Sequence, residues 1–232
     1  MKRFFQVFIP SQSKSRFYLS FGLLFLFILS SKGQEVVTSR EAWSKLPEIL
    51  KGITAPVFPA KTYNVLDFGA KPDGIFDNTI AIKKAIQKCS SKGGGIVLVP
   101  AGKFFTGPIH LESNVNFHLA EGAEILFSTD PSVYPIVHTS FEGTELMNYS
   151  PLIYAFNKKN IAVTGKGTLN GQSSNENWWP WCSSPRYGWK KDTPNQKADV
   201  SKLMEMADNG IPVAERVFGK GHYLRPNFIE FF

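Results

Sequence analysis

Residues 63–107 constrain what this chain can fold into more than any other stretch. They read as a short β run, a tight turn, one amphipathic helix, a triple-glycine stop and a buried strand. Tyr63 to Phe68 is rich in β-formers and ends at Gly69 and a Lys-Pro-Asp-Gly turn, where Pro72 presets φ and Gly74 accepts positive φ. Asp77, Asn78 or Thr79 can cap the helix that follows. On that helix Ile82, Ala85, Ile86 and Cys89 recur at i, i+3, i+4 and i+7, while Lys83, Lys84 and Lys88 face outward. Gly93 to Gly95 stop it, and Ile96 to Val99 continues as a buried strand without polar alternation. A single helix set against the first strands of an otherwise β chain is expected to cap the start of that β structure.

Beyond Gly107 the pattern becomes short β segments separated by Gly and Asn: Val115–Leu119, Ile125–Phe127, Leu152–Phe156 and Ile161–Val163. Asn114-Val-Asn-Phe and Asn160-Ile-Ala-Val open two similar segments 46 residues apart. With coils of roughly 20–25 residues, that offset predicts two turns of a solenoid. Each coil alone cannot bury its inward side chains, so stacking must close the core. Gly165, Gly167 and Gly171 are expected at solenoid corners. A phosphate cradle is excluded there, because no helix pattern follows Gly171.

The run Asn-Val-Leu-Asp-Phe-Gly-Ala-Lys-Pro-Asp-Gly-x-x-Asp-Asn-Thr, with Gly-Gly-Gly-Ile-Val-Leu-Val-Pro-Ala-Gly after it, resembles the opening of the polygalacturonase family of glycoside hydrolases, family twenty-eight. Asn160 to Gly171 resembles the same family. The strings Asn-Glu-Asn-Trp-Trp-Pro-Trp and Val-Phe-Gly-x-Gly-x-Tyr-Leu-Arg-Pro resemble its bacterial, exo-acting relatives. The resemblance implies an all-β fold, the N-terminal coils of a right-handed parallel β-helix with a capping α-helix, cut short at its C-terminal end. It implies an enzyme that hydrolyses α-linked galacturonate, hence a pectic poly- or oligosaccharide partner and no cofactor.

Charge and composition fit that expectation. The 26 basic and 19 acidic residues give a formal +7, but residues 1–33 carry five of the basic groups and no acid, which leaves +2 for the rest. Nucleic acid is therefore not an expected partner. Phe17 to Leu29 is an apolar run after a basic start, shorter than the roughly 20 residues of a spanning helix. Residues 1–33 are expected to be a signal peptide, so the protein is exported to the periplasm or outside the cell and makes no stable membrane insertion after cleavage. Residues 34–61 form a linker with a short helix, Ser39 to Leu50, and residues 62–232 are the β-helix. Only two cysteines occur, Cys89 and Cys182, and Cys89 on the apolar helix face is expected to be a buried thiol.

Residues 172–191 hold four of the five tryptophans. Pyranose rings lie well on aromatic planes, so Trp178, Trp179 and Trp181 are candidate substrate-binding residues, with the pinning of a long loop as the alternative. Arg216, Lys220, His222 and Arg225 cluster within ten residues, and a uronate carboxylate suits such donors. His222 and Arg225 are the candidates there. A helix is expected at Ser201–Asp208, and Phe228–Phe232 reads as the start of another coil strand.

The catalytic carboxylates that the resemblance implies are missing. Inverting hydrolysis needs an acid and a base roughly 6.5–9.5 Å apart, and the family draws them from Asn-x-Asp and Asp-Asp pairs beside an Arg-x-Lys. None of these three patterns occurs, and no metal-ligand cluster is visible. The chain as written is expected to be inactive by itself. Two other classes remain open: a complete, non-catalytic carbohydrate-binding β-helix, and a polysaccharide lyase or epimerase-like β-helix.

Overall fold

A computed structural model of the protein describes residues 39–232, so the expected leader lies outside the described residues. Two compact units are present, Met1–Thr54 and Ala55–Phe232. The described part of the first holds two helices, α1 (Ser39–Ser44) and α2 (Leu46–Lys51), where the sequence predicts one. Pro47 sits in the first turn of α2, where its missing N–H has no helical partner to lose, and Lys45 separates the two. Among the described residues no helix is long and apolar enough to cross a membrane.

The second unit is a parallel β-helix. It opens with β1 (Thr62–Asn64) and α3 (Thr79–Ser91), and each later coil contributes one strand to each of three parallel sheets. The first coil supplies β2 (Gly95–Val99), β3 (Gly102–Thr106) and β4 (Ile109–His110). The second supplies β5 (Val115–Leu119), β6 (Ala123–Phe127) and, after an inserted antiparallel hairpin of β7 (Ile136–Phe141) and β8 (Thr144–Tyr149), β9 (Ile153–Ala155). The third supplies β10 (Ala162–Gly165), β11 (Thr168–Asn170) and β12 (Ile229–Phe231). Sheet order is β1-β2-β5-β10, β3-β6-β11 and β4-β9-β12.

Register stacks like side chains along the axis. Tyr63, Val97, Phe117 and Val163 form one inward column, Phe104, Ile125 and Leu169 a second, and Ile109, Ile153 and Ile229 a third. Phe104, Phe117, Ile125 and Ile153 are completely buried. Each aromatic column member contributes about 1.5–3 kcal/mol of transfer free energy relative to an exposed position.

The helix cap is as the periodicity predicts: Ala81, Ile82, Ala85, Ile86 and Cys89 are buried, while Lys83, Lys84 and Lys88 are exposed. Burial pushes the Cys89 thiol up to about 11. Cys89 and Cys182 are both free thiols. Asp77, rather than Asn78, serves the helix start, accepting from the Thr79 amide and hydroxyl. Asn78 is instead fully buried as a clamp.

The 46-residue repeat is one coil, not two. Asn116 pairs with Ala162 in adjacent strands, and Asn160 Nδ2 donates to Asn114 Oδ1 at 3.2 Å. The preceding coil step, Gly95 to Val115, is 20 residues, so the surplus is the hairpin inserted between β6 and β9. A second, longer insertion leaves the next coil at the same corner, between β11 and β12. It contains the tryptophan-rich stretch and α4 (Lys197–Asp208), which begins four residues before its predicted start.

Candidate functional site

Both corner insertions stand on the same side of the β-helix because they replace the same turn in successive coils. They build a small core of their own from Phe141, Leu146, Leu203, Phe218 and Leu224. Backbone bonds join them: Met147 N–H donates to Arg216 O, and Phe218 N–H donates to Met147 O. Arg216 Nε and Nη1 donate to the carbonyls of Ile211 and Glu145, so its guanidinium braces the two insertions against each other. The two insertions thus form one wall beside the sheet of β4, β9 and β12.

A cavity of about 330 Å³ opens where this wall meets the coil. That volume lies in the range of roughly 300–1,000 Å³ found for small-molecule sites. Glu142 comes from the hairpin tip, Trp178, Trp179 and Arg225 from the long insertion, and Phe228 from just before β12.

The tryptophans divide by role. Trp178 is buried, with its ring edge-on to Tyr134 and Trp181 at 5.8 and 5.1 Å. Its φ is +46, outside the range comfortable for a bulky residue, and its indole N–H has no acceptor among the described residues. Trp181 does not line the cavity; it packs between Tyr149 and Tyr223. Both rings are held in aromatic packing, and of the two only Trp178 lines the cavity. Trp179 is the one that reaches the opening, 42% exposed and edge-on to Tyr187.

The cations divide likewise. His222 lies away from the cavity lining, its Nδ1 2.6 Å from Asp199 Oδ1 and its ring against Phe218. Asp199 is buried and also accepts from the Tyr223 amide, so this pair fastens α4 to residues 222–223. Arg225 lines the cavity, and its Nε donates to Gln196 Oε1 at 3.2 Å. Gln196 N–H in turn donates to Trp181 O, so one residue ties the tryptophan loop to the guanidinium. With Nε held, the two terminal nitrogens of Arg225 keep their donors. None of the ion pairs among the described residues involves Arg225.

Sequence reading names Trp178, Trp179 and Arg225, which the fold brings together across 47 residues, together with Trp181 and His222, which it sets apart. Glu142 and Gln196 carry no signal in the sequence as single polar loop residues. The hairpin turn carries Glu142-Gly143 where Asn-Gly or Asp-Gly is the usual pair. Among the described residues no group of three or more His, Cys, Asp or Glu could hold a metal ion.

The family model described as rhamnogalacturonase A/epimerase, pectate lyase-like, matches residues 62–119. The exo-poly-alpha-D-galacturonosidase of Dickeya chrysanthemi is 35% identical over 166 residues, 66% of this chain and 26% of the relative. The crystal structure of a hyperthermoactive exopolygalacturonase from Thermotoga maritima is 51% identical, with a TM-score of 0.80, covering 82% of this chain and 43% of that one. Mannuronan C5-epimerase AlgE2 of Azotobacter vinelandii is 34% identical over 123 residues, 47% of this chain and 12% of the relative. The chain therefore spans less than half the length of each of these proteins. Its fold is the right-handed parallel β-helix.

Proposed function

We propose that this chain, a relative of the polygalacturonases of glycoside hydrolase family twenty-eight with a pectate-lyase-like β-helix, grips pectic oligosaccharides for hydrolysis of α-linked galacturonate, and that the cavity between its corner insertions takes one uronate unit. The observation that carries this reading is Arg225: a half-buried guanidinium with no acidic partner among the described residues, at the wall of a cavity beside an exposed tryptophan. A carboxylate can accept two parallel bonds from its terminal nitrogens, the strong bidentate geometry of arginine. Trp179 offers an aromatic plane to the apolar face of the pyranose. Trp178, behind it, shapes the floor.

Exo action belongs to this reading. The wall stands at one corner of consecutive coils and bounds the surface along the sheet of β4, β9 and β12, which favours a chain end over an unbroken polymer. Cleavage itself is assigned to carboxylates outside these 232 residues, since the chain lacks Asn-x-Asp and Asp-Asp pairs and spans only 26–43% of its polygalacturonase relatives. Export belongs to it too, and intact-mass analysis of the secreted protein should find a mature N-terminus near residue 34. A mature chain that retains residues 1–33 would contradict it.

Isothermal titration with digalacturonate tests the site. Arg225→Ala is expected to weaken binding about tenfold or more, and Arg225→Lys to recover only part of the loss, because lysine keeps the charge and loses the fork. Unchanged affinity in Arg225→Ala would remove the cavity from the account. The epimerase relationship favours a second reading in which the same cavity serves another polyuronate. Tighter binding of a mannuronate oligomer than of digalacturonate would select it.

A further inference from the structure

Glu142 occupies a position that costs stability. It is the first of the two residues joining β7 to β8, with φ +49, followed by Gly143 at φ +87. Two-residue turns with both φ values positive favour Asn-Gly, Asp-Gly or Gly-Gly, because asparagine tolerates left-handed backbone and can bond locally. Glutamate gains neither advantage. Its carboxylate is exposed and makes no hydrogen bond or ion pair with any described residue. It nonetheless lines the cavity, brought there from the hairpin while Arg225 comes from the other insertion.

We propose that Glu142 is a specificity-determining residue that reads the hydroxyl edge of the bound sugar acid. This rests on the assignment of the cavity to a uronate. A carboxylate accepts and cannot donate, so it repels the ligand's own carboxylate and accepts from vicinal hydroxyls. Glu142 and Arg225 together are then a polar pair of fixed sense. The uronate carboxylate points to the long insertion and the hydroxyl edge to the hairpin tip. The reversed orientation sets two carboxylates against each other and leaves the guanidinium facing neutral hydroxyls. The opposite charges therefore select orientation as well as ligand class, which offsets the cost of a glutamate in a turn where asparagine would fold better.

The experiment compares wild type, Glu142→Asn and Glu142→Gln as full chains, by thermal melting and by titration with digalacturonate. Glu142→Asn relieves the turn and is expected to raise Tm by about 2–4 °C, while its affinity falls about tenfold through loss of hydrogen bonds to a charged acceptor. Glu142→Gln keeps side-chain length, so its affinity loss reports the charge independently of the turn. Wild-type affinity in both variants, with wild type itself binding, would overturn the role of Glu142 and leave the cavity assignment standing. No binding of digalacturonate by wild type would overturn both.

Discussion

Gly165→Ala is expected to destabilise the β-helix by on the order of 4 kcal/mol or more, a large share of the roughly 5–15 kcal/mol that holds a domain of this kind together. Gly165 ends β10 with φ +104, and a Cβ there would lie 1.9 Å from the carbonyl oxygen of Leu119 in the coil below. That oxygen is backbone, already accepting from the amides of Lys166 and Gly167, so it cannot swing aside. The chain must either break the corner or part the stack. Gly143→Ala is the matched control: its φ is +87, yet its Cβ would meet nothing within 4 Å. Only the backbone preference is lost there, about 1 kcal/mol. Denaturant midpoints should separate the two variants widely. Similar midpoints would show that the coils do not approach as closely as described.

The second large effect is at Asn78. Its side chain accepts from the Lys71 amide at 2.7 Å and donates from Nδ2 to the carbonyls of Lys71, Phe76 and Phe105 at 3.2, 2.8 and 3.1 Å. It is completely buried, where no water can substitute for it. One amide thus holds the 71–76 turn, the start of α3 and β3 in a single arrangement. Asn78→Leu preserves size and orphans the Lys71 amide and at least one carbonyl. Each buried orphan costs about 1–3 kcal/mol, so the sum is expected near 3–5 kcal/mol. For a domain of this size that lowers Tm by roughly 10 °C. A drop of only a degree or two would mean that the turn re-forms its bonds without the side chain.

These two residues also show what the sequence made legible. Gly165 was readable as a corner because glycine between two short β runs has few other uses, and the five-residue apolar stripe of α3 admits only a helix. Asn78 was readable as a helix start but not as a clamp, since its partner Phe105 lies 27 residues on and is reached only after the chain has coiled back. The 46-residue repeat spans one coil rather than two for a related reason. Like positions recur at a constant residue spacing only when corner lengths are equal, and the hairpin makes one corner longer. That hairpin carries little signal because Glu-Gly replaces the usual turn pair, and because polar residues such as His138, Thr139 and Asn148 blur its alternation.

The site was half legible. A tryptophan cluster and a run of cations announce themselves by composition, but composition does not say which way each one faces. Trp179 and Arg225 reach the cavity, whereas Trp181 went to aromatic packing and His222 to Asp199. The deciding partners, Gln196 and Asp199, sit on or next to α4, 23 to 29 residues away in sequence. Only packing brings them close.

The most direct measurement is a crystal structure of the chain soaked with digalacturonate. The account predicts one uronate ring in the cavity between the hairpin tip and the long insertion, its carboxylate about 3 Å from the terminal nitrogens of Arg225 and its face on Trp179. A sugar bound elsewhere on the β-helix, with Arg225 left facing empty space, would contradict it.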